Sequence, residues 1–168
     1  MRRNTLLVTG AILLVAGGAI HRPATATEPV AHAGRNVNYM KSVEVTEKDE
    51  ATQRVAGTFV REGLTFHTEG PRAGQVSTIV ISGTFENTGG TGTHEATILR
   101  TFADGDTVTI EIVGKKLKED GLSRGDYRCV DGTGSLEGVA CEGTYTSTPY
   151  PNRMSVVDWE GTVTQPSN

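Results

Sequence analysis

The sequence predicts an all-β protein, a single eight-stranded antiparallel β-barrel, and three observations support this fold class. First, Val108, Ile110 and Ile112 alternate with polar residues, the period-two pattern of a strand with one buried face. Second, no segment has the apolar spacing of a helix over even three turns. Third, glycine followed by threonine and a large residue recurs within the predicted strands, as at Gly83 and Gly143. Glycine inside a strand costs about 0.5–1 kcal/mol, and the sharp bends of a sheet that closes on itself would account for it.

The N-terminal residues 1–33 are predicted to be a signal peptide and its processing region. A basic start precedes an apolar run over residues 5–20, which is glycine-rich and short of the roughly 20 apolar residues that span a membrane. Cleavage is expected after Ala26 or Ala33, the two small-x-small sites, and a retained membrane anchor is the alternative. The prediction is therefore an exported protein, secreted or periplasmic, without a stable membrane span after cleavage.

The domain organisation and the net charge of residues 34–168 limit the classes of partner that the protein can bind. Residues 34–50 are expected to form a lead-in and a first strand, and residues 51–168 the β-barrel domain. The whole chain has 16 Lys and Arg and 20 Asp and Glu; residues 1–33 hold three of the former and one of the latter, which leaves a net charge of about −6. An acidic chain without a basic stripe is unsuited to nucleic acid, so no nucleic-acid partner is predicted.

The predicted strands are separated by glycine, proline and charged turns. Residues 34–38 are expected to be a disordered lead-in. Residues 54–68 form either two short strands or one strand bent near Gly63, and residues 75–86 carry an apolar run that could be buried on both faces. The complete set of predicted strands is 41–46, 54–68, 75–86, 96–102, 107–114, 123–130, 139–147 and 155–164.

The apolar pattern also predicts the loop of the central hairpin. A three-residue loop over residues 103–105 pairs Ile98 with Ile110 and joins the apolar faces of the two strands. A two-residue loop would instead place Leu99 opposite the apolar set. The three-residue loop is therefore predicted, and it places Gly105 where a positive φ is needed.

Cys129 and Cys141 are predicted to form a structural disulfide. Two cysteines in an exported chain favour a disulfide over free thiols, and this one would close an 11-residue loop and stabilise the fold by about 3 kcal/mol. A metal pair or a redox dithiol are the alternatives, but the C-x-x-C spacing and a nearby histidine are missing. No metal site is predicted.

Three segments carry a resemblance to a known family. They read R-T-F-A-D-G-D-T over residues 100–107, D-G-T-G-S-L-E-G over 131–138 and D-W-E-G-T over 158–162. This pattern resembles the allene oxide cyclase-like barrel group, which includes plant allene oxide cyclases, dirigent-like proteins and bacterial secreted relatives. The resemblance implies an eight-stranded barrel around an apolar small molecule, and a cofactor-free cyclase or isomerase where the barrel is catalytic. Asp131 stands where the group has a first glycine, and no catalytic residue is carried over.

The apolar face of the hairpin also carries three polar candidates for ligand binding, His94, Arg100 and Asp106. A lone charge in mid-strand costs several kcal/mol unless it is paired, and Asp126 or Asp158 is the expected partner of Arg100. Two interpretations stay open. Either these residues form the polar end of a cavity that holds a carboxylate or carbonyl, or the face is solvated and the ion pair is a structural strut.

Three aromatic residues complete the set of candidate ligand-binding residues. Tyr127 and Tyr145 share the parity of the two cysteines and are expected on one face, with Trp159 as an apolar floor. The phenols would line a cavity and donate hydrogen bonds to a ligand. Ordinary filling of the core is the alternative.

Two functions follow as hypotheses. One is a secreted barrel that binds a small apolar or carboxylate-bearing ligand, with or without a cofactor-free cyclisation or isomerisation. The other is a non-catalytic extracellular structural or protein-interaction module with a packed barrel. A cavity of about 300 Å³ or more, open at one end and edged by Arg100, Tyr127 or Tyr145, would favour ligand binding. An interior filled by Phe59, Phe85, Phe102 and Trp159 would favour the packed module. No motif of a hydrolase, metalloprotease or nucleotide enzyme is present in the sequence, and no cofactor is predicted.

Overall fold

The computed structural model describes residues 28–165, which form a closed eight-stranded antiparallel barrel with β8 paired back to β1. The predicted fold class is confirmed. Gly134–Leu136 is a single 3₁₀ turn, and no helix in the described part of the chain is long and apolar enough to cross a membrane. The strands are β1 Val30–Asp49, β2 Arg54–Glu69, β3 Val76–Thr88, β4 Thr91–Phe102, β5 Thr107–Lys116, β6 Ser123–Gly132, β7 Ala140–Tyr150 and β8 Met154–Thr164.

The predicted register of the central hairpin is confirmed. Ile98 pairs with Ile110 and Ala96 with Ile112, so the buried side chains of β4 and β5 face the interior together. Gly105 has a φ of 90°, a conformation that glycine adopts at no steric cost and other residues rarely adopt. The alternation of apolar and polar residues therefore sets both the face and the loop length.

The structure corrects or decides four expectations about the first three strands. Residues 34–38 are not a disordered lead-in but the middle of β1, paired with β2 on one side and β8 on the other. The barrel accordingly begins at Val30, inside the predicted processing region and ahead of the predicted boundary at residue 51. β2 is one continuous strand. β3 is not buried on both faces, because Val76 and Val80 point outward and are more than two-fifths exposed.

One end of the barrel is closed by side chains and by the loops that follow β2, β4 and β6. Phe102, Leu136 and Val139 pack there as part of the core. The Arg72 guanidinium lies 4.5 Å from the centre of the Phe102 ring and forms a salt bridge with the Asp104 carboxylate of the neighbouring turn. These contacts hold the loops over the interior, so access from this end is restricted.

The predicted disulfide between Cys129 and Cys141 is confirmed. The Cα atoms are 4.9 Å apart, and the bond joins the residues next to Arg128 and Glu142, where the pairing of β6 with β7 ends. It therefore prolongs the contact between two strands at the closed end of the barrel. Closing a loop of this length stabilises a fold by about 3 kcal/mol.

Candidate functional site

The interior of the barrel contains a cavity of about 290 Å³. It opens at the end opposite Arg72, where Lys116 and Ser123 line its mouth at the last residue of β5 and the first of β6. This volume is near the lower limit of small-molecule sites. The walls are mainly apolar, and they are formed by Met40, Phe59, Ile81, Phe85, Ile98, Ile110, Ile112 and Val157.

Arg100 lies deep in this cavity and is 5 % exposed. Its guanidinium stacks on the Trp159 ring, 4.9 Å from the ring centre, and together the two side chains form the floor of the cavity. Its Nε is buried and has no hydrogen-bond partner within residues 28–165. Arg100 also borders a smaller space of about 40 Å³ on the side of the closed end. The interpretation of this face as solvated is therefore wrong for Arg100.

The predicted acidic partner of Arg100 is also wrong. Asp126 and Asp158 directly precede the inward-facing Tyr127 and Trp159, so they point outward, and Asp158 pairs with Arg35 on the outer surface. Burial lowers the pKa of Arg100 to about 10, and Tyr127 acts weakly in the opposite direction. The guanidinium thus stays charged at neutral pH without a carboxylate beside it.

Polar side chains that the sequence did not reveal hold the floor in place. Asn36 Oδ1 accepts hydrogen bonds from Trp159 Nε1 at 3.0 Å and from Thr65 Oγ1 at 2.8 Å. The indole lies against Gly34, where a Cβ atom would come within 2.3 Å of the ring. Glycine at this position is therefore required by the close approach of Trp159.

Two histidines lie near Arg100, the buried His67 and the half-buried His32. His32 Nε2 and the Tyr127 hydroxyl share a hydrogen bond of 2.7 Å, and His67 Nε2 lies 3.2 Å from the Ser77 hydroxyl. Burial, followed by the charge of Arg100, lowers the pKa of His32 to about 4 and that of His67 to about 3. Both imidazoles are neutral at pH 7, and the positive charge that faces them comes from Arg100 and, at His67, also from Arg72.

A second histidine–tyrosine pair lies in the cavity wall. His94 Nε2 and the Tyr145 hydroxyl are 2.6 Å apart, and both residues line the cavity. Burial, with a smaller contribution from Arg61, lowers the pKa of His94, and burial raises that of Tyr145. Both side chains are neutral at pH 7, and the pair can donate to or accept from an oxygen atom of a ligand.

Facing glycines make room for both phenols. Gly143 pairs with Gly161, and a Cβ atom on either would lie 2.6 Å from the Tyr127 hydroxyl. Gly114 and Gly125 also pair with each other, and a Cβ atom on either would overlap the Tyr145 hydroxyl. The recurring glycines thus serve the placement of rings against the barrel wall, a role that the sequence pattern alone did not indicate.

Arg61 is a second interior arginine, and sequence analysis missed it. Its NH1 donates hydrogen bonds to Asn38 Oδ1 at 3.1 Å and to Ser155 Oγ at 2.8 Å, and all three residues line the cavity. Burial lowers the pKa of Arg61. Of the described residues that line the cavity, none is acidic.

Five of the six candidate residues line the cavity: His94, Arg100, Tyr127, Tyr145 and Trp159. The sixth, Asp106, does not reach it. Asp106 lies beyond Phe102 at the closed end, where its carboxylate accepts hydrogen bonds from Arg72 and Ser135. The phenylalanines do not fill the interior as a packed module requires, because Phe59 and Phe85 form cavity walls and Phe102 packs at the closed end.

No protein-family model, curated protein or solved structure matches this chain. The resemblance to the allene oxide cyclase-like group therefore stays a prediction. Within residues 28–165, no three His, Cys, Asp or Glu side chains are grouped so that they could hold a metal ion. The geometry and charge of the cavity are thus the basis for a functional proposal.

Proposed function

We propose that the protein binds a small, mostly apolar molecule with one carboxylate, which contacts Arg100 while the apolar part lies along the cavity. The observation that carries this proposal is the buried Arg100 at the floor of the cavity: among the described residues, its Nε has no hydrogen-bond partner, and no carboxylate pairs with it. Burying an unpaired charge costs several kcal/mol. A carboxylate would supply a charge-assisted, bidentate partner for it.

The rest of the cavity is consistent with such a ligand. Lys116 at the mouth and Arg61 in the wall are basic, and the absence of acidic lining residues among those described leaves a field that attracts anions. A group of the size of a water molecule occupies about 30 Å³, so a cavity of about 290 Å³ holds a ligand of roughly ten non-hydrogen atoms. Octanoate is therefore a suitable probe.

Cofactor-free cyclisation or isomerisation is the activity that the family resemblance implies for this site. The apolar walls would hold a flexible ligand in one conformation. The neutral His94–Tyr145 pair would offer a hydrogen bond to a carbonyl oxygen on which charge develops. Ligand binding is the first step of either reaction, so binding is the property to test first.

The test compares octanoate with octanol and octylamine, which share its chain, by titration calorimetry and thermal unfolding. We expect octanoate to bind at least tenfold more tightly than octanol, because only the carboxylate pairs with Arg100. Arg100→Met should abolish this preference. Arg35→Met, which removes an exposed arginine of the outer surface, is the matched control and should retain it. Equal affinity for octanol and octanoate, or full octanoate binding by Arg100→Met, would refute the proposal.

The proposal includes export of the protein. Residues 1–27 of the predicted signal region lie outside the described residues, and the disulfide is compatible with an oxidising compartment. Because β1 begins at Val30 and His32 contributes to the interior, cleavage after Ala26 would keep the strand whole, whereas cleavage after Ala33 would remove four of its residues. N-terminal sequencing of the exported protein is expected to begin at Thr27. A start directly after Ala33 would contradict this assignment.

A further inference from the structure

We infer that the cavity has a second oxygen-binding subsite, formed by Arg61, Asn38 and Ser155, which selects ligands with a keto oxygen part-way along the molecule. The inference rests on the proposed function, because it assigns this oxygen to the same ligand whose carboxylate contacts Arg100. It narrows the ligand class from apolar carboxylic acids to oxo acids.

The first observation is the fixed position of the Arg61 guanidinium. NH1 donates to both Asn38 Oδ1 and Ser155 Oγ, and these two contacts hold the group at the cavity wall. Nε and NH2 make no hydrogen bond within the described part of the chain, and no carboxylate there pairs with Arg61. A cation that is held in place with free donors is a ready binding site for an acceptor oxygen.

The second observation is the side chain of Asn38, which is 2 % exposed and lines the cavity. Its Oδ1 accepts from Arg61 and from Ser155 Oγ at 2.8 Å, whereas its Nδ2 is buried and has no partner. The opposite orientation of the amide would turn its NH2 group toward the guanidinium, so Arg61 determines which atom faces it. The unused atom of Asn38 is therefore a donor.

The third observation is that a second buried donor without a hydrogen-bond partner belongs to a residue of the same cavity. Among residues 28–165, only two buried side-chain nitrogen or oxygen atoms lack a hydrogen bond, Asn38 Nδ2 and Arg100 Nε. Both are donors, and both belong to residues that line the same cavity. Since native proteins satisfy nearly all buried polar groups, two missing acceptors in one cavity point to a ligand with two acceptor groups.

The spacing of the two groups fits one ligand. Asn38 lies two residues beyond Asn36 on the inward face of β1, which corresponds to about 7 Å along the strand. Asn36 holds the Trp159 ring on which Arg100 stacks. A carboxylate at the floor and a keto oxygen about 7 Å further along β1 can therefore belong to one molecule of roughly ten non-hydrogen atoms.

The experiment measures the affinity of the exported protein for octanoate and for octanoate with a keto group at each internal carbon in turn. We expect one mid-chain isomer to bind about tenfold more tightly than octanoate, and the other isomers to bind no more tightly than octanoate. The position of the preferred keto group reports the distance between the two subsites.

Two variants and a control assign the preference. Arg61→Met removes the donors, and Arg61→Gln keeps one donor toward Asn38, so that at least one of the two is expected to fold as the wild type does. Both should abolish the keto preference, and any loss of octanoate affinity from the weaker basic field should be smaller than the loss for the preferred keto isomer. Ser147→Ala changes another polar residue of the cavity lining and should leave the preference intact.

The outcomes separate the two proposals. If octanoate binds in an Arg100-dependent manner but no keto isomer binds more tightly, the second subsite is refuted and the proposed function stands. If octanoate does not bind, the proposed function fails, and a neutral mid-chain octanone then tests the subsite alone. Arg61-dependent binding of the ketone would support the subsite, and its absence would refute it.

Discussion

Replacing Arg100 by methionine is expected to stabilise the unliganded fold while it abolishes carboxylate binding. Arg100 is 5 % exposed and has no acidic partner in the portion of the chain that the structure describes. Burial lowers its pKa from 12.5 to about 10, which corresponds to a cost of about 3 kcal/mol for the charged form. Methionine has a similar length and no charge, and its flexible side chain can occupy the same space.

One favourable contact opposes this gain. The guanidinium stacks on Trp159 at 4.9 Å, and such a cation–π contact is worth about 0.5–2 kcal/mol. The net expectation is that Arg100→Met raises the free energy of unfolding by about 1–2 kcal/mol. For a chain of this size, this corresponds to a rise of about 3–8 °C in Tm.

Calorimetry and urea unfolding of the unliganded protein measure the change. Arg100→Lys retains a buried charge and should bring no gain, and Arg35→Met lies on the outer surface beside Asp158 and should change stability by less than about 0.5 kcal/mol. If Arg100→Met instead destabilises the fold by more than about 1 kcal/mol, the guanidinium is already satisfied in the native protein. The case for an anionic ligand would then fail.

Three further predictions concern the stability of the barrel. Acidification from pH 7 to about pH 5 should lower the free energy of unfolding by about 4 kcal/mol, because burial lowers the pKa values of His32 and His67, so that only the unfolded chain binds protons in this range. Urea titrations should show about half of this loss in His67→Asn, and an unchanged loss would contradict the assignment. Gly34→Ala should cost about 2–3 kcal/mol and alter the near-ultraviolet circular dichroism of Trp159, since the methyl group would overlap the ring; a wild-type Tm would contradict this. Reduction of the disulfide should cost about 3 kcal/mol, and an unchanged urea midpoint in reductant would argue against it.

The parts of the fold that could be predicted from sequence follow from local rules. The hairpin of β4 and β5 has alternating apolar residues and a glycine at the one loop position with positive φ, so its register could be derived from two features only. The same parity rule placed Tyr127 and Tyr145 on one face with the cysteines, and all four lie in or against the core. Parity could also have excluded Asp126 as a partner of Arg100, because it directly precedes the inward-facing Tyr127.

What could not be predicted is the polar interior of β1 and β2. Asn36 and Asn38 alternate with other residues in the period of a strand, but polar side chains in this period resemble a loop. Their burial depends on partners such as Thr65 and Trp159, which are distant in sequence and come together only when the barrel closes. For the same reason Arg61, which Asn38 orients, gave no signal of a functional role.

The residues that break the local rules lie together on one cavity, and this is itself an argument for function. A barrel of this size could be filled with apolar side chains, yet this one keeps Arg61 and Arg100 inside without an acidic partner among the described residues, and leaves an amide donor of Asn38 unpaired. Such departures are expected at functional sites, where stability is lower than the fold could reach. A ligand at a concentration about 100-fold above its Kd would add about 2.7 kcal/mol to the free energy of unfolding. This gain exceeds the net gain of about 1–2 kcal/mol that is expected for Arg100→Met, so the liganded barrel should be about 1 kcal/mol more stable than the unliganded Arg100→Met variant.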